Sequence, residues 1–236
     1  MTSYLRANGL LSVALSVSAL TLAPVALAGP DWDEGALDAG STLGSAQAIS
    51  VNGGINTITG KLAGSAFMVG DYQDCFLVYI DSPQTFSIST SPGAGGASSL
   101  DPMLFLFRVE AGNFTRAVMA NNDFEGGSSA AGLRASTNDG SGVTVSTAGL
   151  YLIAISGFAS QPIDATGAAL FNQAFLQPGV IAGPGPGSGD FNLFAWNAEG
   201  SSGTYVLTLE GVSGVPAPGA LSLLALGGLI ARKRRR

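Results

Sequence analysis

Short runs of alternating or continuous apolar residues, each bounded by Gly, Pro, Asn or Ser, recur along this chain and predict strands rather than helices. Asn52-Gly53-Gly54 is turn chemistry ahead of Ile55 to Leu62, where Ile55, Thr57 and Thr59 alternate with Asn56, Ile58 and Gly60. Cys75 to Ile80 is apolar on both faces, which predicts a central strand. Thr85 to Thr90 sets Phe86 and Ile88 against Ser87 and Ser89, the pattern of a half-buried strand. Met103 to Val109 is again apolar on both faces, and a hairpin turn over Glu110 to Asn113 should join it to Phe114 to Ala120.

The second half has the same style. Val143 and Val145 alternate with Thr144 and Ser146, and a turn at Gly149 leads into Tyr151 to Ile155. Gly203-Thr204-Tyr205-Val206-Leu207-Thr208-Leu209 repeats that Gly-x-Tyr start, either as a short internal duplication or as two good strands that each follow a turn. Ala165 to Ala174 could form one short helix. Gly179 to Asp190, with Pro184 and Pro186, is predicted to be a long surface loop, and Pro92 to Ser99 a Gly/Ser loop. These elements together predict an all-β, antiparallel two-sheet sandwich.

The two ends do not fit that pattern. Arg6 and the amino terminus precede an apolar stretch from Leu10 to Leu22, and Ala26-Leu27-Ala28 supplies the small residues that a signal peptidase reads, so cleavage is expected before Gly29. At the other end, Val215-Pro216-Ala217-Pro218 is followed by an apolar run from Gly219 to Ala231 and by Arg232-Lys233-Arg234-Arg235-Arg236. The run is shorter than the roughly 20 residues of a spanning helix, and the terminal cations resist translocation. Such a tail suits a transient sorting element of a cell envelope. The chain divides accordingly into a signal peptide (1–28), a β domain (29–212) and a terminal signal (213–236).

Charge and composition narrow the chemistry. All sixteen acidic residues lie between Asp31 and Glu210, where the basic residues are only Lys61, Arg108, Arg116 and Arg134. The domain is thus more acidic than the formal net charge of -6 and excludes nucleic acid as a partner. The chain contains no histidine, which removes Ser-His-Asp and Cys-His catalysis and imidazole zinc sites. Cys75 is the only cysteine and falls within an apolar strand, so it should be a buried hydrophobe and the domain has no internal disulfide.

The tail resembles the PEP-CTERM sorting signal of envelope bacteria, in which a Val-Pro-Glu-Pro box precedes a short apolar helix and an Arg-rich end; Ala217 stands where that family has Glu. This resemblance implies processing by an exosortase-type enzyme and delivery to the cell surface or extracellular matrix. A second set of motifs lies inside the domain: Leu100-Asp101-Pro102-Met103-Leu104-Phe105-Leu106-Phe107, then Ala120-Asn121-Asn122-Asp123, then Leu133-Arg134, then Gly149-Leu150-Tyr151. With the Asp-rich stretch Asp71 to Asp74 upstream, these resemble the bacterial pre-peptidase C-terminal domain. That likeness implies a jelly-roll-like sandwich of secreted and surface proteins, usually without catalytic activity.

Candidate chemistry is confined to oxygen ligands. Asp101, Asn121, Asn122, Asp123, Glu125 and Asp139 could converge at one end of a sandwich and suit calcium, which takes six to eight oxygens. The same residues are equally ordinary turn formers, because Asp and Asn bond their own backbone. The spacing of Asn121 to Glu125 is not that of an EF-hand, and no Gly-x-Ser-x-Gly elbow is present. Two functions are therefore expected: a non-catalytic, exported surface or matrix protein, or a calcium-assisted module that binds exopolysaccharide or surface proteins through a loop face including Asp101, Asp123, Phe124, Phe158, Trp196 and the Pro184 loop. The membrane would be met only through the terminal segments.

Overall fold

The structure, a computed structural model, describes residues 31–35, 37–64, 70–92, 100–124, 128–187 and 191–216. The expected leader with Ala26, Ala28 and Gly29, the candidate ligand Glu125, most of the Pro92 to Ser99 loop, and the tail from Ala217 and Pro218 through Arg232–Arg236 lie outside the described residues. No helix of the described residues is long and apolar enough to cross a membrane.

The described chain is nearly all β. Its strands are β1 (Trp32–Asp33), β2 (Gln47–Ala48), β3 (Thr57–Leu62), β4 (Gln73–Ile80), β5 (Ser87–Pro92), β6 (Pro102–Glu110) and β7 (Phe114–Asn121). They continue as β8 (Gly132–Arg134), β9 (Gly149–Gly157), β10 (Pro162–Ile163), β11 (Ala195–Trp196), β12 (Gly203–Glu210) and β13 (Val212–Ser213). One sheet has the order β1-β3-β12-β5-β8 and the other β13-β4-β9-β6-β7, with β2 also on β4. The long pairs are antiparallel as expected, but β1 joins β3 and β2 joins β4 in parallel, so both sheets are mixed.

Residues of opposite parity build two cores. Ile58, Leu62, Ile88 and Leu207 of the first sheet meet Phe76, Val78, Leu104, Leu106 and Ile153 of the second. On the other face of the second sheet, Cys75, Phe105, Phe107, Leu152 and Ala154 pack under Leu170, Phe171, Phe175, Ala182 and Leu193. This double burial is why β4, β6 and β9 read as continuous apolar runs. Phe105 sits 5.5 to 5.7 Å, centroid to centroid, from Phe171, Phe175 and Trp196, and Phe107 lies 5.4 Å from Phe171. Cys75 is fully buried and free, and burial pushes its thiol well above the usual range.

Three expectations are corrected here. Gly179 to Asp190 lacks helix and strand, but over its described part it is no surface loop: Ile181, Ala182, Gly183 and Gly185 are buried, and Ala182 exchanges backbone bonds with Ala120 of β7 at 2.9 Å. The apolar outer face of the second sheet needs this cover. Val143 and Val145 form no strand; only an isolated bridge links Ser136 and Thr144, because the left-handed turn at Gly140 and Gly142 (φ 84° and 69°) shortens the run. Ala165 to Ala174 is not a helix. The Asp164 carboxylate accepts from the backbone N–H of Thr166 and Ala168 and closes a turn, after which a 3₁₀ helix spans Gln173–Leu176.

The β6–β7 hairpin forms where expected, with Asn113 in the left-handed region (φ 61°) that asparagine tolerates. Gly157, at the end of β9, has the tightest neighbour: a Cβ there would lie 1.9 Å from the Ser201 carbonyl oxygen. Gly157→Ala should therefore destabilise the protein by about 1–3 kcal/mol, whereas Gly149→Ala, with nothing within 4 Å of the added carbon, should stay within about 0.5 kcal/mol of the parent. Urea unfolding of the two variants measures the difference; equal losses would contradict the close approach.

Candidate functional site

The described residues bring together a set of carboxylates that the linear order separates. Glu34 follows β1 and is held by its N–H bonding to the Thr59 carbonyl at 3.0 Å. Its Oε1 accepts from Ala39 N and its Oε2 from Lys61 N, both at 3.0 Å. Asp71 closes a bridge with Gly64 just before β4, and its Oδ2 accepts from Ala63 N at 2.6 Å. Asp74 lies on β4 at 0% exposure, with Oδ2 accepting from the Tyr205 hydroxyl at 2.5 Å. Asp38 stands exposed at the edge, and one carboxylate oxygen from each of Glu34, Asp38 and Asp74 lies within 4.8 Å of the others.

Gly60 is the floor of this arrangement. In register with Tyr205 across β3 and β12, it leaves space that an added Cβ would take from the Tyr205 ring and the Glu34 Oε2, the latter 2.6 Å away. The cluster therefore requires a glycine at that position.

Its electrostatics are unbalanced. Burial, with Glu34 beside it, pushes the Asp74 carboxyl up to about 9, against an ordinary value of 3.8. Burial also raises Glu34 and Asp71, each with Asp38 adding repulsion, and raises Tyr205 well above the phenol range. The Oδ1 atoms of both Asp71 and Asp74 are buried and have no hydrogen-bond partner. An ionised Asp74 lacks a donor for that oxygen, and one protonated on Oδ2 can bond the Tyr205 hydroxyl but still leaves Oδ1 unmatched. Either form leaves a buried polar group unmatched, a cost of about 1–3 kcal/mol. A divalent cation would meet the need of Glu34, Asp38 and Asp74 together, and hard oxygen donors of this kind suit calcium.

The residues singled out from sequence are distributed differently. Asn121 is fully engaged: its Nδ2 donates to the carbonyls of Asp123 and Val180, and its Oδ1 accepts from Gly132 N at 2.8 Å. Asp139 accepts from Ser141 N and Oγ through Oδ1 and from Gly183 N through Oδ2. Burial would raise its carboxyl, but these bonds outweigh that and hold it low. Asp101, raised by burial and by Asp123, comes near Asp123, which accepts from Asn122 Nδ2 at 3.0 Å. The Oδ1 atoms of Asp101 and Asn122 are buried without a partner. Sequence reasoning flagged Asp71 and Asp74 only as a stretch before a strand, and passed over Glu34 and Asp38. The available signal was four acidic residues between Asp31 and Asp38 with no basic residue among them.

No family model, curated protein or solved structure matches this chain.

The pH dependence of stability tests the cluster. Between 3.8 and about 9 the folded protein holds a proton on Asp74 that the unfolded chain has lost, so stability falls as pH rises through this window. In chelator, unfolding free energy should decline between pH 5 and pH 8 by about 1 kcal/mol per pH unit. Asp74→Asn should flatten that slope. A parent slope of zero or of opposite sign would refute the assignment of the proton.

Proposed function

We propose that this chain is an exported, non-catalytic surface or matrix protein, and that a calcium ion completes the N-terminal end of its β domain. The observation that carries the reading is the buried, unpartnered Oδ1 of Asp74, whose carboxylate stands beside those of Glu34 and Asp38. Burial of ionised carboxylates without a counter-charge is strongly unfavourable, and a bound cation reverses that balance. Calcium rather than magnesium fits a mixed set of side-chain oxygens, because magnesium demands a near-ideal octahedron and keeps its waters. Extracellular calcium modules commonly bind with Kd of about 10⁻⁴–10⁻³ M, so the ion would be taken up after export.

We read the sandwich as the jelly-roll-like kind expected for a pre-peptidase C-terminal domain, set between a signal peptide and a sorting signal that both lie outside the described residues. Signal peptidase cuts before Gly29, and an exosortase-type enzyme acts at the Val215–Pro218 box. In favour of that boundary, Val215 N donates to the Ile49 carbonyl at 2.7 Å, so the described fold extends to the start of the box. The non-catalytic reading is supported by the missing histidine and by a lone thiol held protonated in the core.

Adding calcium to 10 mM should raise unfolding free energy at pH 7.5 by about 1.4–2.7 kcal/mol for Kd values in that range. The double variant Glu34→Gln, Asp38→Asn should lose the increment, and magnesium should give less of it. No shift on calcium titration would remove the metal from this reading. Mass spectrometry of the protein from its native cells should find an N-terminus at Gly29 and loss of the residues after about Pro218; a retained Arg232–Arg236 would mark a simple anchor instead.

A further inference from the structure

Next to the carboxylate cluster lies an open cleft of about 440 Å³ whose lining includes Ser41, Tyr72, Gln73, Phe194, Trp196 and Glu199. Trp196 is fixed in orientation from two sides: its Nε1 donates to the Ser41 carbonyl at 2.7 Å, and its ring meets Phe105 edge-on at 5.5 Å. Phe194, two residues earlier, is 61% exposed and lines the cleft beside Trp196. Between these rings and the opposite rim stand polar groups. The Tyr72 hydroxyl donates to Glu199 Oε2 at 3.1 Å, Gln73 Nε2 is anchored on Ser160 Oγ at 2.6 Å, and Asn197 Oδ1 accepts from Gln161 N at 2.9 Å.

We propose that this cleft binds an uncharged oligosaccharide and that the cation at Glu34, Asp38 and Asp74 holds one of its walls in place. Aromatic rings fixed at their edges offer flat apolar surface to the C–H faces of sugar rings, while carboxylate, amide and hydroxyl groups serve sugar hydroxyls. Glu199 inside the cleft and the acidic cluster beside it disfavour an anionic glycan. The coupling follows from chain connectivity. The arm that supplies Glu34 and Asp38 to the cluster continues to Ser41 and Thr42 on the cleft, tied down by Cys75 N donating to the Gly40 carbonyl at 2.9 Å. On the facing segment, Asp74 serves the cluster while Gly70, Tyr72 and Gln73 line the cleft. Fixing the arm at Asp38 therefore fixes the wall at Ser41, to which Trp196 is bonded.

The coupling rests on the calcium reading of the cluster; the cleft itself does not. Calorimetry of the purified full-length protein with cellohexaose, laminarihexaose, mannohexaose and an alginate hexamer, each in calcium and in EGTA, tests both. At least one neutral hexamer should bind with submillimolar Kd in calcium and at least fivefold more weakly in EGTA. Phe194→Ala should weaken that binding tenfold or more while leaving the melting temperature and the calcium titration unchanged. Absence of binding by all three neutral sugars, tighter binding of the alginate hexamer, or an unaffected Phe194→Ala would overturn the proposal for the cleft even where calcium binds. A neutral sugar that binds equally in both buffers would overturn the coupling alone, and a failed calcium titration would trace that failure to the cluster.

Discussion

The second sheet has apolar side chains on both of its faces, and that double demand for cover organises the molecule. One face is covered by the first sheet through Ile58, Ile88 and Leu207. The other meets only the short β10–β11 pair at its margin and is otherwise covered, among the described residues, by irregular chain from Leu170 that lays Phe171, Phe175 and Ala182 over Phe105 and Phe107. Irregular backbone can be buried only if its N–H and C=O groups find partners. Here they do, by exchange between Ala182 and Ala120 and by bonds from Gly183 to Asp139 and from Ile181 to Asn138. Polar side chains that resemble a ligand set in sequence are thereby used to fasten the cover.

The same cover places Trp196. Because β10 and β11 pair at its margin, the indole edge rests on Phe105 while its N–H reaches Ser41 on the N-terminal arm. The arm also adds its two short strands in parallel at sheet positions beside β3 and β4, and so carries Glu34 and Asp38 to the place where Asp74 points into the domain. Packing thus joins a buried charge imbalance and an aromatic cleft through one stretch of chain of fewer than ten residues.

Much of the strand content was legible in the order of residues. The runs at Cys75, Met103 and Tyr151 are apolar on both faces because both faces are buried, and the alternation of Phe86 and Ile88 with serines survives as burial of Phe86 and Ile88 at the start of β5. Local chemistry also located the hairpin at Glu110 to Asn113. Where turn chemistry competed with periodicity, the turn won: Gly140 and Gly142 cut short the Val143 run, and Asp164 stopped a helix before it began.

Sequence alone thus determined which segments are extended, that Cys75 is interior, and that catalysis by histidine or a disulfide framework is excluded, since these depend on residue identity and near neighbours. It could not decide what covers the outer face of the second sheet, nor that Glu34, Asp38 and Asp74 bring carboxylate oxygens within 4.8 Å of one another. Those are contacts between residues far apart in the chain, and only the folded backbone brings their oxygens together. An acidic side chain has the same local signature on a solvated turn as in a buried cluster; burial and the lack of a partner, which are tertiary properties, separate the two.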